Sequence, residues 1–326
     1  MKVFVYSLME MEKPCYRGLE EELGIELEFT SQKPTVENAH LVKGAKAVSV
    51  ITTPITADVI QALHENGVEY ISTRNIGYDH IDVEAAKKLG VRVGNSSYMP
   101  NSVAEYTVMM MLMCARKAMV IVDTYRKQDY TLANKMGFLL NGSTVGIVGT
   151  GKIGFTVIRL LSAFGCKILA YDPYPNEEVK KYAEYVDLDT LMAHSDIISF
   201  HAPATKENEH LVNKETIAKM KPGVGLINAA RGSLVDVDAL IEGLDAGQIG
   251  FAALDVLEGE SSIYYKNFEG QPCPLESIQK LSQYPNVILT PHTAFYTQNA
   301  IVEMVRNSIK SCACELKGEK NPWKIA

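Results

Sequence analysis

The stretch Thr144-Val145-Gly146-Ile147-Val148-Gly149-Thr150-Gly151-Lys152-Ile153-Gly154 decides how this chain is read. A β-favouring run passes directly into a glycine-rich turn, and an amphipathic stretch over 155–164 follows at once. By itself GxGxxG is a weak signal; between a strand and a helix it has a mechanism. Gly149 permits the tight turn, Gly151 lets the backbone approach a pyrophosphate, and Gly154 allows close packing of helix on sheet. The helix N-terminus at Lys152 and Ile153 adds free amides and the positive end of a dipole. The next strand, Lys167–Tyr171, ends on Asp172, 18 residues beyond Gly154, where a carboxylate can accept hydrogen bonds from an adenosine ribose. That carboxylate would repel a 2′-phosphate, and Pro173 and Tyr174 bring no arginine, so the expected cofactor is NAD rather than NADP.

Further strands are read outward from this motif at 196–200, 225–229, 251–256 and Val287–Leu289, most separated by helical segments. Six strands in this half make a dinucleotide-binding domain. Upstream, Val3-Phe4-Val5-Tyr6, Ala47-Val48-Ser49-Val50-Ile51, Tyr70-Ile71-Ser72 and Val91-Arg92-Val93 alternate with helices at 56–66 and 83–89, which makes a second, smaller open-sheet domain. The expected class is therefore α/β with two open parallel sheets. Between them, 103–119 reads as one very apolar helix, rich in methionine, buried between domains or subunits.

Composition narrows the function. The 326 residues carry 32 Lys+Arg against 39 Asp+Glu, a net charge of −7, which disfavours phosphate backbones and anionic membranes as partners. No apolar run reaches the ~20 residues of a membrane span, and Glu10 and Glu12 come too early for a signal peptide, so a cytoplasmic protein is expected. The six cysteines show no CxxC pair and no zinc-ligand spacing; no metal is expected.

In an open α/β sheet, ligands sit beyond the carboxyl ends of the strands. Four strand ends carry polar groups: His201-Ala202-Pro203, Arg231-Gly232, Asp255 with Glu258 and Glu260 one loop on, and Pro291-His292. Hydride transfer to a carbonyl needs a proton for the growing oxyanion and a cation to polarise the substrate. Arg231 suits a 2-keto acid because its planar fork matches paired oxygens, and His292 suits the acid. A contact from Glu260 would stabilise the imidazolium and fix its tautomer. Structural roles remain open at this point: an arginine bridging helix ends, a solvated loop acid, a satisfied core histidine. His201 is the rival acid–base candidate, and His210 reads as surface.

Together, STRNIGYDHID from Ser72, GTGKIG from Gly149, INAARGSLVD from Ile227, AALDVLEGE from Ala252 and TPHTAFYT from Thr290 resemble the D-specific 2-hydroxyacid dehydrogenases over essentially the whole chain, most closely their D-lactate branch. The resemblance implies Arg231 as substrate-binding cation, His292 as proton donor and Glu260 as its acidic partner. It implies substrate contacts from the amides of Ile76 and Gly77, from Tyr98, and from the aromatic pair Phe295 and Tyr296. It places Ala202, Pro203, Asn208, Ala229, Ala230 and Asp255 along the cofactor. It also implies a flavodoxin-like, discontinuous substrate domain (1–100 plus 296–326), a Rossmann-type domain (101–295), a catalytic cleft between hinged lobes, and a homodimer. Pyruvate is the favoured substrate. Ser96-Ser97-Tyr98-Met99 departs from the Val-Pro usual before that tyrosine, so bulkier branched or aromatic 2-keto acids stay open. An NAD-sensing binding protein, like the co-repressors built on this fold, is the alternative from another class.

Overall fold

Short β-branched runs joined by amphipathic helices bury both faces of each strand, and a parallel sheet with helices on either side meets that need. The computed structural model, which describes residues 1–326, divides into two compact units of this kind, Met1–Met99 with Tyr296–Ala326, and Pro100–Phe295.

In the smaller unit, β1 (Lys2–Val5), β2 (Glu26–Phe29), β3 (Ala47–Val50), β4 (Tyr70–Thr73) and β5 (Arg92–Gly94) are all parallel, in the flavodoxin-like order β2-β1-β3-β4-β5. Helices Ala57–Glu65 and Val83–Lys88 supply Ile60, Leu63 and Ala86 to one core, with Val48, Val50, Ile71 and Val93. Helix Gln298–Lys317 supplies Val305, Ile309 and Cys312 to another, against Val3, Val5 and Tyr70. The sequence reading misses β2. It is an edge strand in which only Leu27 is buried, so its glutamates hide the pattern. At the end of β4, Arg74 is wholly buried, bonded to Glu12 (2.8 Å) and to the carbonyls of Tyr6, Ser7 and Ser49. An unpaired charge there would cost several kcal/mol, so this network ties the ends of β1, β3 and β4 together.

The larger unit holds β6 (Thr144–Val148), β7 (Lys167–Tyr171), β8 (Glu184–Tyr185), β9 (Ile197–Phe200), β10 (Val224–Asn228), β11 (Ile249–Leu254) and β12 (Val287–Leu289). Their order is β12-β11-β10-β9-β6-β7-β8, all parallel. The chain runs outward from β6 to β8 and then returns to β9 on the other side of β6. The order therefore reverses between β6 and β9, and a ligand crevice belongs at their carboxyl ends. The seventh strand, β8, is absent from the sequence reading because two residues carry no period.

The expected helix over 103–119 is two helices, Asn101–Ala115 and Ala118–Arg126. The chain breaks at Lys117, which takes a left-handed conformation (φ 50°), while Phe138 N–H bonds the Ala115 carbonyl. Gly137 makes that approach possible, since a Cβ there would lie 2.3 Å from the Ala115 oxygen. One face of the first helix, including Ala104, Met110 and Met111, is buried with Ile147, Ile158 and Ile227. Burial is incomplete. Met109, Met119, Ile121, Val122, Leu132 and Met136 are exposed, and Met109 lines an apolar hollow of about 430 Å³ with Val108, Leu112, Met113 and Phe164. No helix is long and apolar enough to cross a membrane.

Candidate active site

The glycine loop sits at the β6/β9 reversal. Gly149 has φ +93°, and a Cβ there would lie 2.7 Å from the carbonyl of His201, so glycine is required for the two strand ends to cross. A Cβ on Gly154 would strike the Gly149 carbonyl oxygen at 2.0 Å, which keeps helix Lys152–Ala163 tight on the sheet. A Cβ on Gly151 would meet nothing. That open space, at the N-terminus of a twelve-residue helix, is a cradle in which backbone amides of Lys152 and Ile153 can face a pyrophosphate. Asp172 belongs to the same cradle: its Oδ2 accepts from Thr150 N (2.7 Å) and Oδ1 from Tyr174 N (2.8 Å), which fixes the carboxylate at the tip of β7. These residues fit a dinucleotide.

Beyond β9, Asn208 folds the loop that begins at Ala202 and Pro203, accepting from Thr205 N (2.8 Å) and donating to Pro203 O (2.7 Å). Beyond β10, the buried Asn228 accepts from Ala230 N (3.0 Å) and donates to Arg231 O (2.8 Å), so Ala229, Ala230 and Arg231 form one braced turn. Arg231 Nη1 donates to Ala230 O (2.7 Å). Gly232 lets this turn press on the next loop, since a Cβ there would lie 2.2 Å from the Leu257 carbonyl carbon. Two residues past Glu258, that loop reaches Glu260.

His292 Nδ1 lies 2.6 Å from Glu260 Oε1, with both side chains about a quarter exposed. Glu260 Oε2 accepts from Leu257 N (2.8 Å), so the carboxylate is anchored as well as paired. An ionised Glu260 requires the proton on Nδ1, which turns Nε2 away as the exchangeable nitrogen. The histidine's backbone is held in a left-handed conformation (φ 51°), with its N–H on Asp255 O (2.8 Å) and its carbonyl accepting from Tyr265 Oη (2.9 Å). Such a conformation persists only where surroundings over-determine it. Phe295 meets the imidazole edge-on, with ring centroids 6.2 Å apart.

Asp255 is fully buried beneath this loop and accepts from Thr290 Oγ1 (2.5 Å), Thr293 N (2.9 Å) and Ala294 N (2.9 Å). Its observed work is to hold the His292 loop. Sequence reasoning missed that role because nothing in the spacing links 255 to 290–294. It also missed a second pair, His210 Nε2 with Glu258 Oε1 (2.7 Å), both partly exposed; the hydrogen bond that Glu258 accepts raises the His210 pKa. His201 is no acid: burial pushes its imidazole down to about 4, its Nε2 rests on Ser199 Oγ (3.0 Å), and its Nδ1 has no partner. In the smaller unit, Ile76 and Gly77 follow Arg74 beyond β4, Tyr98 lies beyond β5, and Tyr296 is half exposed with its hydroxyl on Met11 Sδ.

Comparison with known proteins identifies the family. Residues 108–294 match the D-isomer specific 2-hydroxyacid dehydrogenase, NAD binding domain. The chain is 40% identical over 311 residues to a D-specific alpha-keto acid dehydrogenase of Enterococcus faecium, covering 95% of each. It is 37% identical over 322 residues to an aromatic 2-oxoacid reductase of Clostridium sporogenes, covering 98% of this chain and 97% of the relative. A solved D-lactate dehydrogenase from Treponema pallidum superposes with a TM-score of 0.89 at 36% identity over 100% of both chains. The chain therefore belongs to the D-isomer specific 2-hydroxyacid dehydrogenases and is an NAD-dependent oxidoreductase.

Proposed function

We propose that this enzyme reduces pyruvate to D-lactate with NADH, and runs in reverse when lactate is abundant. The observation that carries the reading is the anchored His292–Glu260 pair, whose Glu260 lies on a loop packed against the turn bearing Arg231. When bound along the glycine loop, NADH supplies the hydride that the keto carbon accepts. Arg231 grips the substrate's carboxylate and keto oxygens through its planar fork and favours the negative charge that grows on the keto oxygen. His292 delivers the proton from Nε2 to that oxygen, and Glu260 balances the charge on the ring while holding Nδ1–H. In the smaller unit, the amides of Ile76 and Gly77 receive the carboxylate, and Tyr98 and Tyr296 bound the substrate's side chain, with Phe295 beside His292.

Bulkier 2-keto acids are the second reading. It is supported by the name of the Clostridium relative and by Ser96-Ser97 preceding Tyr98. A sensor without turnover has no support among relatives named for their reactions. We further propose a cytosolic homodimer formed through the exposed apolar side chains of 109–139. NADH oxidation with pyruvate, 2-ketoisocaproate, phenylpyruvate, glyoxylate and hydroxypyruvate separates the substrates. The highest kcat/KM is expected for pyruvate, and a higher value for phenylpyruvate replaces the first reading with the second.

A further inference from the structure

Beyond β5 the chain runs from Asn95 to Met99 without regular structure, and its polar groups are taken up from two sides. On one side, Asn95 N donates to Trp323 O (3.0 Å), Trp323 Nε1 to Ser97 Oγ (3.0 Å), Asn307 Nδ2 to Ser97 O (2.6 Å) and Met99 N to Glu303 Oε2 (2.6 Å). On the other, Asn95 Nδ2 donates to Ile76 O (2.7 Å) and Ser96 N to Asn75 O (3.0 Å). One short segment thus links Trp323 to the loop of Ile76 and Gly77, and Tyr98 lies within it.

Trp323, the only tryptophan of the chain, is itself fixed. Its N–H bonds Asn321 Oδ1 (3.0 Å), and the residues after it lie antiparallel on β5 through the bridge of Gly94 with Lys324 and the bond from Ile325 N to Val93 O (2.8 Å). Gly94 makes this possible, since a Cβ there would stand 2.9 Å from the Trp323 carbonyl oxygen and 1.8 Å from the Tyr70 hydroxyl. The indole N–H meets the hydroxyl of Ser97, the one acceptor that holds the ring to this segment.

We infer that Trp323 and Asn307, neither of them among the proposed substrate contacts, are positioning residues: through Ser97 they set the placement of Tyr98 and of the Ile76–Gly77 loop, and so the size of 2-keto acid accepted. This rests on the reading of Ile76, Gly77 and Tyr98 given above. A segment without sheet or helix bonds of its own is placed by such side-chain bonds, and losing one neutral bond is worth up to about tenfold in a rate ratio.

The test compares Trp323→Phe, Ser97→Ala and the double variant as full-length enzymes. Trp323→Phe keeps an aromatic ring and removes the donor, while Ser97→Ala removes only the acceptor hydroxyl. Each single variant is expected to lower kcat/KM for pyruvate about three- to tenfold through KM, with kcat held and phenylpyruvate spared, so the ratio shifts toward the bulkier acid. NADH affinity and thermal midpoint stay at wild-type values. Because both changes break one bond, the double variant should lose no more than either single. An unchanged pyruvate-to-phenylpyruvate ratio in both singles, or two effects that multiply, overturns the inference while leaving the proposed activity standing. A wild-type enzyme inactive on every keto acid overturns both.

Discussion

At the residue scale, candidate residues were legible wherever chemistry dictates a residue type at a strand end, and illegible where a residue works through backbone. Arg231, Glu260 and His292 could be picked out because hydride transfer to a keto acid needs a cation and a proton donor, and the structure brings Glu260 and His292 to 2.6 Å. The left-handed backbone of His292 and the bonds by which Asp255 holds its loop have no sequence signature. Arg231→Lys retains charge but not the planar fork, so kcat/KM for pyruvate should fall about 10²-fold in steady-state assays, with NADH binding unchanged. His201 yields a stability prediction. Its imidazole is held neutral down to about pH 4, below the ordinary 6.5. Between those values the unfolded chain binds a proton that the folded chain refuses, so stability rises with pH across that window and is lost as pH falls, by at most ~3 kcal/mol. Unfolding midpoints of His201→Gln measured from pH 4 to 7 should show a flatter acid limb than wild type; parallel limbs would sink this assignment.

Among the elements, ten strands were legible beforehand, most plainly the buried β3, β4 and the centre of the larger sheet, because continuous apolar runs bounded by turns have few other readings. Edge strands β2 and β8 were lost for the opposite reason: half-solvated or two residues long, they carry little hydrophobic pattern. Likewise the break at Lys117 is imposed by the returning segment at Gly137 and Phe138, a tertiary contact that no helical period encodes. The glycine loop supports a paired prediction at this scale. Gly151→Val points into open space, so it should fold with a wild-type thermal midpoint yet bind NADH at least tenfold more weakly, the loss expected when a side chain fills the phosphate approach. Gly154→Ala drives a methyl into the Gly149 carbonyl and should lower the midpoint itself, by about 1–3 kcal/mol in stability. Thermal scans with NADH titrations distinguish the two; equal behaviour of both variants would refute the division of labour.

For the whole molecule, two open parallel sheets were foreseeable from the alternation of strands and helices along the chain, though not the edge strands β2 and β8 that bring them to five and seven. Less legible was how much apolar surface 109–139 would leave exposed, because 103–119 reads as one buried helix. An exposed apolar patch of this kind marks an association surface. Light scattering should return twice the 36.0 kDa chain mass, and Leu132→Glu with Met136→Glu should shift it to one chain; a wild-type monomer would contradict the proposed dimer. The proposed chemistry turns on His292, held by Glu260, protonating the keto oxygen as a D-hydroxy acid forms. It is tested most directly by comparing wild type and His292→Gln in pyruvate reduction, with chiral analysis of the product and NADH binding measured on both. Expected are D-lactate from wild type and a rate reduced by about 10²–10⁴ in the variant, with its affinity for NADH intact. L-lactate as product, or a variant that turns over at the wild-type rate, would contradict it.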